Sequence, residues 1–232
     1  MLRYISQVEV VTLAGRQLAS KWLKTEALLT DRRIVPYIPH TMILSPSHLQ
    51  YMLRKYRMVV VKPIVGGGGY GVIRMTKDSK GYTLTHLSQT IRHTHFHNIY
   101  LALNRMKAQR KYLIQQGIYL ATIKGRPIDY RVKMVKVHRH WVFRSMVGRL
   151  AKPGLFITNL CKGGTQLTCL QGLKASRLQG SSHHKCQEMR KLSIICTGIM
   201  ERHFPGINEL GFDYGVDVNN RIWIFEVNTR PQ

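Results

Sequence analysis

The densest group of residues that could hold a metal ion lies near the end of the chain. Two apolar runs are separated by the segment Asp-Val-Asn-Asn-Arg at 217–221. Asp213 lies before this segment, and Glu226 and Asn228 lie after it. Adjacent asparagines tolerate positive φ, so the segment predicts the turn of a β-hairpin. Glu226 and Asn228 are two residues apart and face one side of their strand, where the hairpin also brings Asp213. Their oxygens are ligands that Mg²⁺ takes beside waters and nucleotide phosphates, so they predict a magnesium site.

The alternative is an ordinary surface hairpin whose acids are solvated. The chain has 11 Asp and Glu residues against 36 Lys and Arg residues. Asp213, Asp217 and Glu226 nevertheless fall within about fourteen positions of one another. This concentration of acids in an acid-poor chain favours the metal site.

A second segment has the composition of a phosphate-binding loop. An apolar run at 59–61 leads to Lys62, and five glycines follow within residues 66–71. Glycines let backbone N–H groups approach phosphates closely, and the lysine adds positive charge. No Gly-Lys-Ser/Thr follows, and a strand rather than a helix is predicted next, which excludes a Walker A loop and a Rossmann fingerprint. Glycine runs also occur in ordinary loops, but we predict phosphate binding by Lys62, Gly67, Gly68, Gly69, Tyr70, Gly71 and Val72.

The composition limits the kinds of protein that fit. The chain of 232 residues is 44% hydrophobic, enough for one large or two small domains with a true core. No apolar run of about 18 residues and no signal peptide is found, so we predict no membrane span and a cytoplasmic protein. The net charge of +25 favours acidic partners. Nucleic acid is one such partner, but no RNA-binding aromatic signature, zinc finger or helix-turn-helix supports it.

The four cysteines predict no metal site. Cys161, Cys169, Cys186 and Cys196 include no Cys-x-x-Cys pair, so a zinc ribbon is excluded. We predict four scattered, reduced thiols.

The elements that must position these residues are a mixture of strands and helices. Ser45 followed by Pro46 predicts an N-cap and the first turn of a helix. Other helices are predicted over 8–29, 98–111 and 181–203, with a loop over 31–39. Strands are predicted over 58–63, 72–75, 82–87 and 141–147, as well as in the C-terminal hairpin, and 112–118 is interpreted as a strand followed by a loop.

The glycine loop and the C-terminal hairpin together resemble the ATP-grasp superfamily. The resemblance is carried by Lys62-Pro63 with its glycines and by Asp213 with Glu226-Val227-Asn228. Within that superfamily the chain is most similar to the endospore-coat-associated, YheC/YheD-like branch, over roughly residues 20–231. The segments that carry this closer resemblance are 21–24, 35–41, 115–118 and 211–217.

The resemblance implies an α+β protein with the ATP-grasp fold, in which two α+β lobes clasp MgATP between antiparallel sheets. Residues 1–44 would be a helical lead-in segment and 45–115 the small lobe with the glycine loop. Residues 116–232 would form the C-terminal lobe with the metal site. Many members carry a further N-terminal domain that recognises substrate, for which this chain leaves little room.

The resemblance also assigns residues between the two ends. Gln115, Gln116 and Ile118 would surround the adenine, largely through backbone groups, although a plain strand and loop is the alternative. Asp129 and Arg131 share one face of a strand and could form only a salt bridge. The resemblance instead places both in the cleft, with Arg131 binding phosphate or a substrate carboxylate.

Three further residues are assigned by resemblance alone. Arg149, Asn159 and Lys162 would lie near the γ-phosphate and the acceptor. Taken alone, the segment Lys-Gly-Gly-Thr at 162–165 is an ordinary turn.

The function implied is an ATP-dependent ligase that joins a carboxylate to an amine or another nucleophile through an acylphosphate, with one or two Mg²⁺ ions. The carboxylate substrate would be an acidic small molecule or peptide. The alternative is a non-catalytic protein that retains the fold and binds a spore structure or a polyanion.

Overall fold

The computed structural model describes residues 18–229. These residues form two antiparallel sheets and the helices that pack on them. Helices cover each sheet, so the predicted α+β class is confirmed. Residues 1–17, which include the first ten residues of the helix predicted over 8–29, lie outside the described residues.

The first sheet has the strand order β1-β6-β2-β3-β4-β5, and all neighbouring strands are antiparallel. The prediction found β2, β3, β4 and β6 but missed the short edge strands β1 and β5. The six strands are β1 (Thr41–Ile43), β2 (Met58–Pro63), β3 (Ile73–Asp78), β4 (Gly81–His86), β5 (Gln89–His93) and β6 (Tyr112–Gln116).

Two helices bury apolar residues against the first sheet. One begins at Pro46, and the Ser45 side chain accepts a hydrogen bond from the backbone N–H of His48 at 3.1 Å, as the N-cap prediction required. The other ends at Met106, five residues before the predicted end, because the backbone of Lys107 is extended and directs the chain towards β6. Leu49, Leu53 and Ile99 lie in the core beneath them. These two helices are α2 (Pro46–Tyr56) and α3 (Phe96–Met106). A further helix, α1 (Lys21–Leu29), comes before them in the chain.

The second sheet has the order β10-β9-β8-β11-β12, with a two-residue strand, β7, beside β8. Its core includes the fully buried rings of Tyr130, Phe212 and Tyr214. The N-cap Ser181 begins its long helix, which ends at His203 as predicted. The elements of this half are β7 (Thr122–Ile123), β8 (Arg126–Val137), β9 (His140–Leu150), β10 (Thr165–Thr168), α4 (Cys169–Ala175), α5 (Ser182–His203), β11 (Glu209–Val216) and β12 (Ile222–Asn228).

Helix α1 packs with the second half, although the chain next enters the first sheet. Ala27 and Leu28 belong to the second core, as does Ile34 in the connection after the helix. The predicted loop over 31–39 contains a short 3-10 helix at Val35–Tyr37. The buried face of α1 also includes Lys21 and Lys24, which therefore point into the protein.

The C-terminal hairpin forms as predicted. Asp217 holds its turn, because one carboxylate oxygen accepts hydrogen bonds from the backbone N–H groups of Asn219 and Arg221, each at 2.9 Å. The other oxygen accepts from the Trp223 indole at 2.8 Å. Asp217 is therefore a structural residue, and its presence in the acid-rich segment does not reflect a metal site.

A β-bulge interrupts the pairing of β11 with β12. Asp213 pairs with Glu226, whereas Tyr214 pairs with Ile224, so Phe225 is the extra residue. Its ring lies over Gly215, where a Cβ atom would be only 2.4 Å from the ring. The glycine thus makes room for the bulge.

None of the helices within residues 18–229 is both long and apolar enough to cross a membrane.

Candidate functional site

A cavity of about 550 Å³ lies between the two sheets and receives residues from both. The first sheet contributes β2, β3, β6 and the glycine loop, and the second contributes β8, β9, β11 and β12. The predicted site residues that line the cavity are Lys62, Gly67, Gly68, Gly69, Tyr70, Val72, Gln115, Gln116, Ile118, Asp129, Arg131, Arg149, Asn159, Asp213, Glu226 and Asn228.

Two predicted residues lie outside the lining. Gly71 is the last glycine of the loop, and a Cβ atom there would be 3.1 Å from Pro63 and 3.2 Å from the Tyr112 hydroxyl. Lys162 places its ammonium 3.3 Å from the centre of the Tyr70 ring. Lys162 therefore contacts the glycine loop from the other half of the protein rather than facing the cavity.

Lys62 is held at the end of β2, only 8% exposed. Its ammonium donates to the Gln115 side-chain oxygen at 2.8 Å and to the Phe225 carbonyl at 3.2 Å. Burial lowers the pKa of Lys62 to about 8, although Glu226 acts in the opposite direction. The bulge at Phe225 thus supplies a carbonyl that fixes a lysine from the opposite sheet.

The glycine loop contacts the half of the protein that contains the second sheet at two points. Gly69 has φ +72°, and a Cβ atom there would lie 2.6 Å from the Asn159 side-chain oxygen. The Cys161 thiol donates to the Gly68 carbonyl at 3.4 Å. Only glycine combines this left-handed conformation with such a close approach.

A network of two acids and two arginines forms one wall of the cavity. Arg149 donates to both oxygens of Asp129, at 2.8 and 2.6 Å, and lies 3.2 Å from Asp213. Arg131 donates to both oxygens of Asp213, at 2.7 and 2.9 Å. These are bidentate pairs in which each arginine fork matches one carboxylate.

The strand register explains this network. Asp129 is paired with Arg149 across β8 and β9, and Asp213 is paired with Arg131 across β11 and β8. Residues directly opposite each other in an antiparallel pair present their side chains on the same face. The four charges are therefore set side by side by the backbone itself.

Charge pairing controls ionisation within the network. Burial alone would raise the pKa of Asp213, but attraction to Arg149 and Arg131 outweighs burial and lowers it to about 2. Burial would lower the pKa of Arg149, whereas Asp129 and Asp213 raise it above its ordinary value. Asp213 therefore remains a carboxylate, and Arg149 a cation, across the physiological range.

Glu226 and Asn228 lie beside this network, on β12. The Glu226 carboxylate is 3.3 Å from the ammonium of Lys21, which also donates to the Gly66 carbonyl. The Asn228 amide lies between three charged groups: its nitrogen is 3.4 Å from Asp213, and with the amide turned over it donates to Glu226 at 3.1 Å and accepts from Arg131 at 3.2 Å. Lys21 thus connects helix α1, the glycine loop and Glu226 on β12.

The three predicted metal ligands fit Mg²⁺ by donor type, since two carboxylates and one amide line the cavity from the neighbouring strands β11 and β12. In the described residues no three His, Cys, Asp or Glu side chains are grouped as a metal site. Arg131, Arg149 and Lys21 neutralise the acids instead. A bound cation would therefore share these carboxylates with cationic side chains.

The sequence prediction missed three cations at the cavity or next to it. Lys21 and Arg74 line the cavity. Lys24 is 5% exposed, and burial lowers its pKa to about 8, although Glu226 acts to raise it. The three-residue spacing of Lys21 and Lys24, which puts them on one helix face, was the available signal.

The lining carries a net positive charge. Its cations are Lys21, Lys62, Arg74, Arg131 and Arg149, and its acids are Asp129, Asp213 and Glu226. Five cations against three acids attract anions into the cavity.

Comparison with known proteins identifies the family. A model of the YheC/D like ATP-grasp family matches residues 11–232. The endospore coat-associated protein YheD of Bacillus subtilis (strain 168) is 27% identical over 224 residues, which cover 91% of this chain and 48% of YheD. The chain therefore spans about half the length of this curated relative.

Solved structures share the fold. N5-carboxyaminoimidazole synthase from Aspergillus clavatus, in complex with ADP and 5-aminoimidazole ribonucleotide, has a TM-score of 0.58 at 15% identity, over 95% of this chain and 46% of its own. D-alanyl-alanine synthetase A from Vibrio cholerae has a TM-score of 0.54 at 16% identity, over 94% of this chain and 56% of its own. These likenesses confirm the predicted fold, and the family match shows that the chain belongs to the YheC/D like ATP-grasp family.

Proposed function

We propose that this protein binds ATP with Mg²⁺ in the cavity and uses it to join a carboxylate to an amine or another nucleophile. The observation that carries the proposal is the cavity between the sheets, in which Lys62, Arg149 and the glycine loop converge beside Asp213 and Glu226. Two synthetases share the fold, one of them in complex with ADP.

The phosphates would lie along the glycine loop, near Lys62 and Lys21. Both lysines are fixed before ligand arrives, Lys62 by Gln115 and Phe225 and Lys21 by Gly66 and Glu226. A positioned cation stabilises phosphate charge at a small further cost in ordering.

The adenine would occupy the other end of the cavity, against Gln115, Gln116 and Ile118. Met58 and Val60 add apolar walls at this end. Apolar walls with a few fixed polar groups are the usual surroundings of a bound base.

Arg149 and Arg131 would neutralise the phosphoryl group during transfer and orient the acceptor carboxylate. Asp129 and Asp213 hold both guanidinium groups in fixed positions. Positioning and charge neutralisation are the main contributions that proteins make to phosphoryl transfer. Asn159, beside Gly69, would help to position the γ-phosphate.

Asp213, Glu226 and Asn228 would hold one or two Mg²⁺ ions. When bound, the ions would neutralise charge on the nucleotide phosphates. Lys21 and Arg131 would then exchange part of their contact with these acids for contact with the nucleotide.

The chemistry requires little acid–base catalysis. A carboxylate oxygen attacks the γ-phosphorus, the bond from that phosphorus to the bridging oxygen breaks, and ADP leaves with the electron pair. The amine then attacks the acyl carbon of the acylphosphate, the bond from that carbon to the phosphate oxygen breaks, and phosphate leaves with the proton that the amine loses, which forms the amide. The substrate would be an acidic small molecule or peptide, used in the cytoplasm.

A second candidate is a non-catalytic protein of the spore coat, or one that binds a polyanion. Two observations favour this candidate: the relative YheD is named as an endospore coat-associated protein, and the chain has a net charge of +25. This candidate does not require nucleotide binding in the cavity, so nucleotide binding separates the two.

The test is thermal unfolding with and without ATP, repeated without Mg²⁺ and with GTP. A ligand that binds only the folded state at one hundred times its Kd adds about 2.7 kcal/mol of stability, which raises the Tm of a chain of this size by about 5–10 °C. We expect such a rise with MgATP, a smaller one without Mg²⁺ and little change with GTP.

Glu226→Ala provides the control for the metal site. We expect it to remove the Mg²⁺-dependent part of the rise and to leave the nucleotide-free protein folded. If saturating MgATP does not shift the Tm of the unmodified protein, the second candidate replaces the first. Once binding is shown, ADP release with carboxylates and amines tests the ligase reaction.

A further inference from the structure

The thiols of Cys169 and Cys186 are in contact, and neither residue lines the cavity. Their sulfur atoms lie 2.6 Å apart, which is closer than two unbonded thiols pack. The prediction of four scattered thiols is therefore wrong for this pair. We propose that Cys169 and Cys186 form a reversible disulfide that joins helix α4 to helix α5.

The helix starts fix the two positions. Cys169 is the first residue of α4, after the N-cap Thr168, whose capping box with Gln171 is complete. Cys186 lies in the second turn of α5, which starts after the N-cap Ser181. Between the helices the chain reverses through Arg177 and Gly180, both with positive φ. The sequence separation of seventeen residues therefore becomes a contact.

Exposure and ionisation suit a reaction that begins at Cys186. Cys169 is buried, whereas Cys186 is only partly buried and can be reached by a small reagent. The close contact with Cys169 lowers the pKa of Cys186, while the same contact and burial raise the pKa of Cys169. The thiolate is the attacking form, so Cys186 is the first nucleophile.

A low-molecular-weight disulfide can serve as the oxidant. The Cys186 thiolate attacks one of its sulfurs, which gives a mixed disulfide and releases one thiolate. The Cys169 thiol then loses its proton and attacks the Cys186 sulfur, which releases the second thiolate. In sum, the protein loses two protons and two electrons, and the reagent takes them up to become two thiols.

The remaining cysteines are comparators within the same chain. Cys161 is exposed, and its thiol donates to the Gly68 carbonyl. Cys196 is buried on α5. Neither thiol has another sulfur as its hydrogen-bond partner in the described residues. Selective oxidation of Cys169 with Cys186 is therefore a specific expectation.

The disulfide would stabilise the edge of the second sheet. Strand β10 ends directly before Cys169, and its Gln166 pairs with Arg149 on β9. A bond from Cys169 to α5 prevents this edge from separating from the core. Closing a loop of this length typically raises the Tm of a chain of this size by about 6–12 °C.

The test uses the full-length protein treated with oxidised glutathione and then digested without reduction. We expect mass spectrometry to find one cross-linked peptide pair, containing Cys169 and Cys186 and lighter by two hydrogen atoms than the two thiol peptides. If Cys169 and Cys186 instead remain open to alkylation after denaturation, or if Cys186 carries only glutathione, the proposal is overturned.

Matched variants extend the test to stability. We expect oxidation to raise the Tm of the unmodified protein and of Cys161→Ser, and a reducing agent to reverse the rise. Cys186→Ser should abolish the rise while its Tm in reducing buffer stays close to that of the unmodified protein. A rise that persists in Cys186→Ser would assign the effect to other chemistry and overturn the proposal.

Discussion

Lys62 is the residue on which the phosphate assignment depends most directly. It is almost fully buried, and its ammonium is held by a side chain of its own sheet and a carbonyl of the other. We expect Lys62→Ala to weaken ATP binding by about 10- to 100-fold, the loss of one charge-assisted hydrogen bond. Adenosine has no phosphates, so its affinity should change by less than about threefold. Calorimetric titration with each ligand measures both effects.

Lys80→Ala is the matched control, because Lys80 is exposed in the turn between β3 and β4. It should bind both ligands as the unmodified protein does. Equal losses of ATP and adenosine affinity in Lys62→Ala would mean that the lysine supports the fold of the cavity and does not contact phosphate.

Residue types were predictable from the sequence, whereas their partners were not. Strand alternation placed Asp129 and Arg131 on one face, which left a salt bridge between them as an alternative. Asp129 instead pairs with Arg149, and Arg131 pairs with Asp213. Those pairs depend on the registers of β8 with β9 and β11, which are fixed by contacts distant in sequence.

Among the elements, the glycine loop connects the two halves of the protein. Gly69 has φ +72° and contacts Asn159, whereas a Cβ atom on Gly67 would meet nothing within 4 Å. We expect Gly69→Ala to destabilise the nucleotide-free protein by about 1–3 kcal/mol, through backbone strain and the contact with Asn159. Gly67→Ala should be neutral or slightly stabilising. Urea unfolding measures both.

The variant Gly67→Ala also tests the position of the nucleotide. The open space around Gly67 is part of the cavity, so a methyl group there should weaken ATP binding without affecting the nucleotide-free stability. If Gly67→Ala binds ATP normally, the phosphates do not approach this glycine.

Local signals predicted the elements with clear starts and turns. Ser45 and Ser181 cap their helices, and Asp217 holds the hairpin turn. The short strands β1, β5 and β10 were missed because pairing with neighbours, rather than their own pattern, makes them strands. The buried face of α1 was missed because lysines on a helix ordinarily face solvent.

At the scale of the whole molecule, the fold accommodates buried cations beside the cavity. Lys24 and Lys62 both have a pKa lowered to about 8, and for both the largest cause is burial. A folded protein that holds a lysine in its less favoured charged form loses stability. Sites that bind anions commonly retain such a cost because the charge is required for binding.

Lys24→Met should therefore make the nucleotide-free protein more stable. The pKa of Lys24 is lowered from 10.5 to about 8, so at neutral pH the gain is at most about 3 kcal/mol. Below about pH 8 the lysine is charged in both states and the cost is complete. Between about pH 8 and 10.5 the unfolded chain binds more protons, so the unmodified protein gains stability as pH rises.

The difference in unfolding free energy between Lys24→Met and the unmodified protein should consequently be largest near pH 7 and shrink towards pH 10. Comparison of the two proteins at each pH cancels the titration of tyrosines and cysteines, which both share. Lys191→Met, at an exposed position of α5, should show a difference near zero that does not vary with pH. A gain in Lys24→Met that stays constant from pH 7 to 10 would assign its stability to better packing rather than to removal of a buried charge.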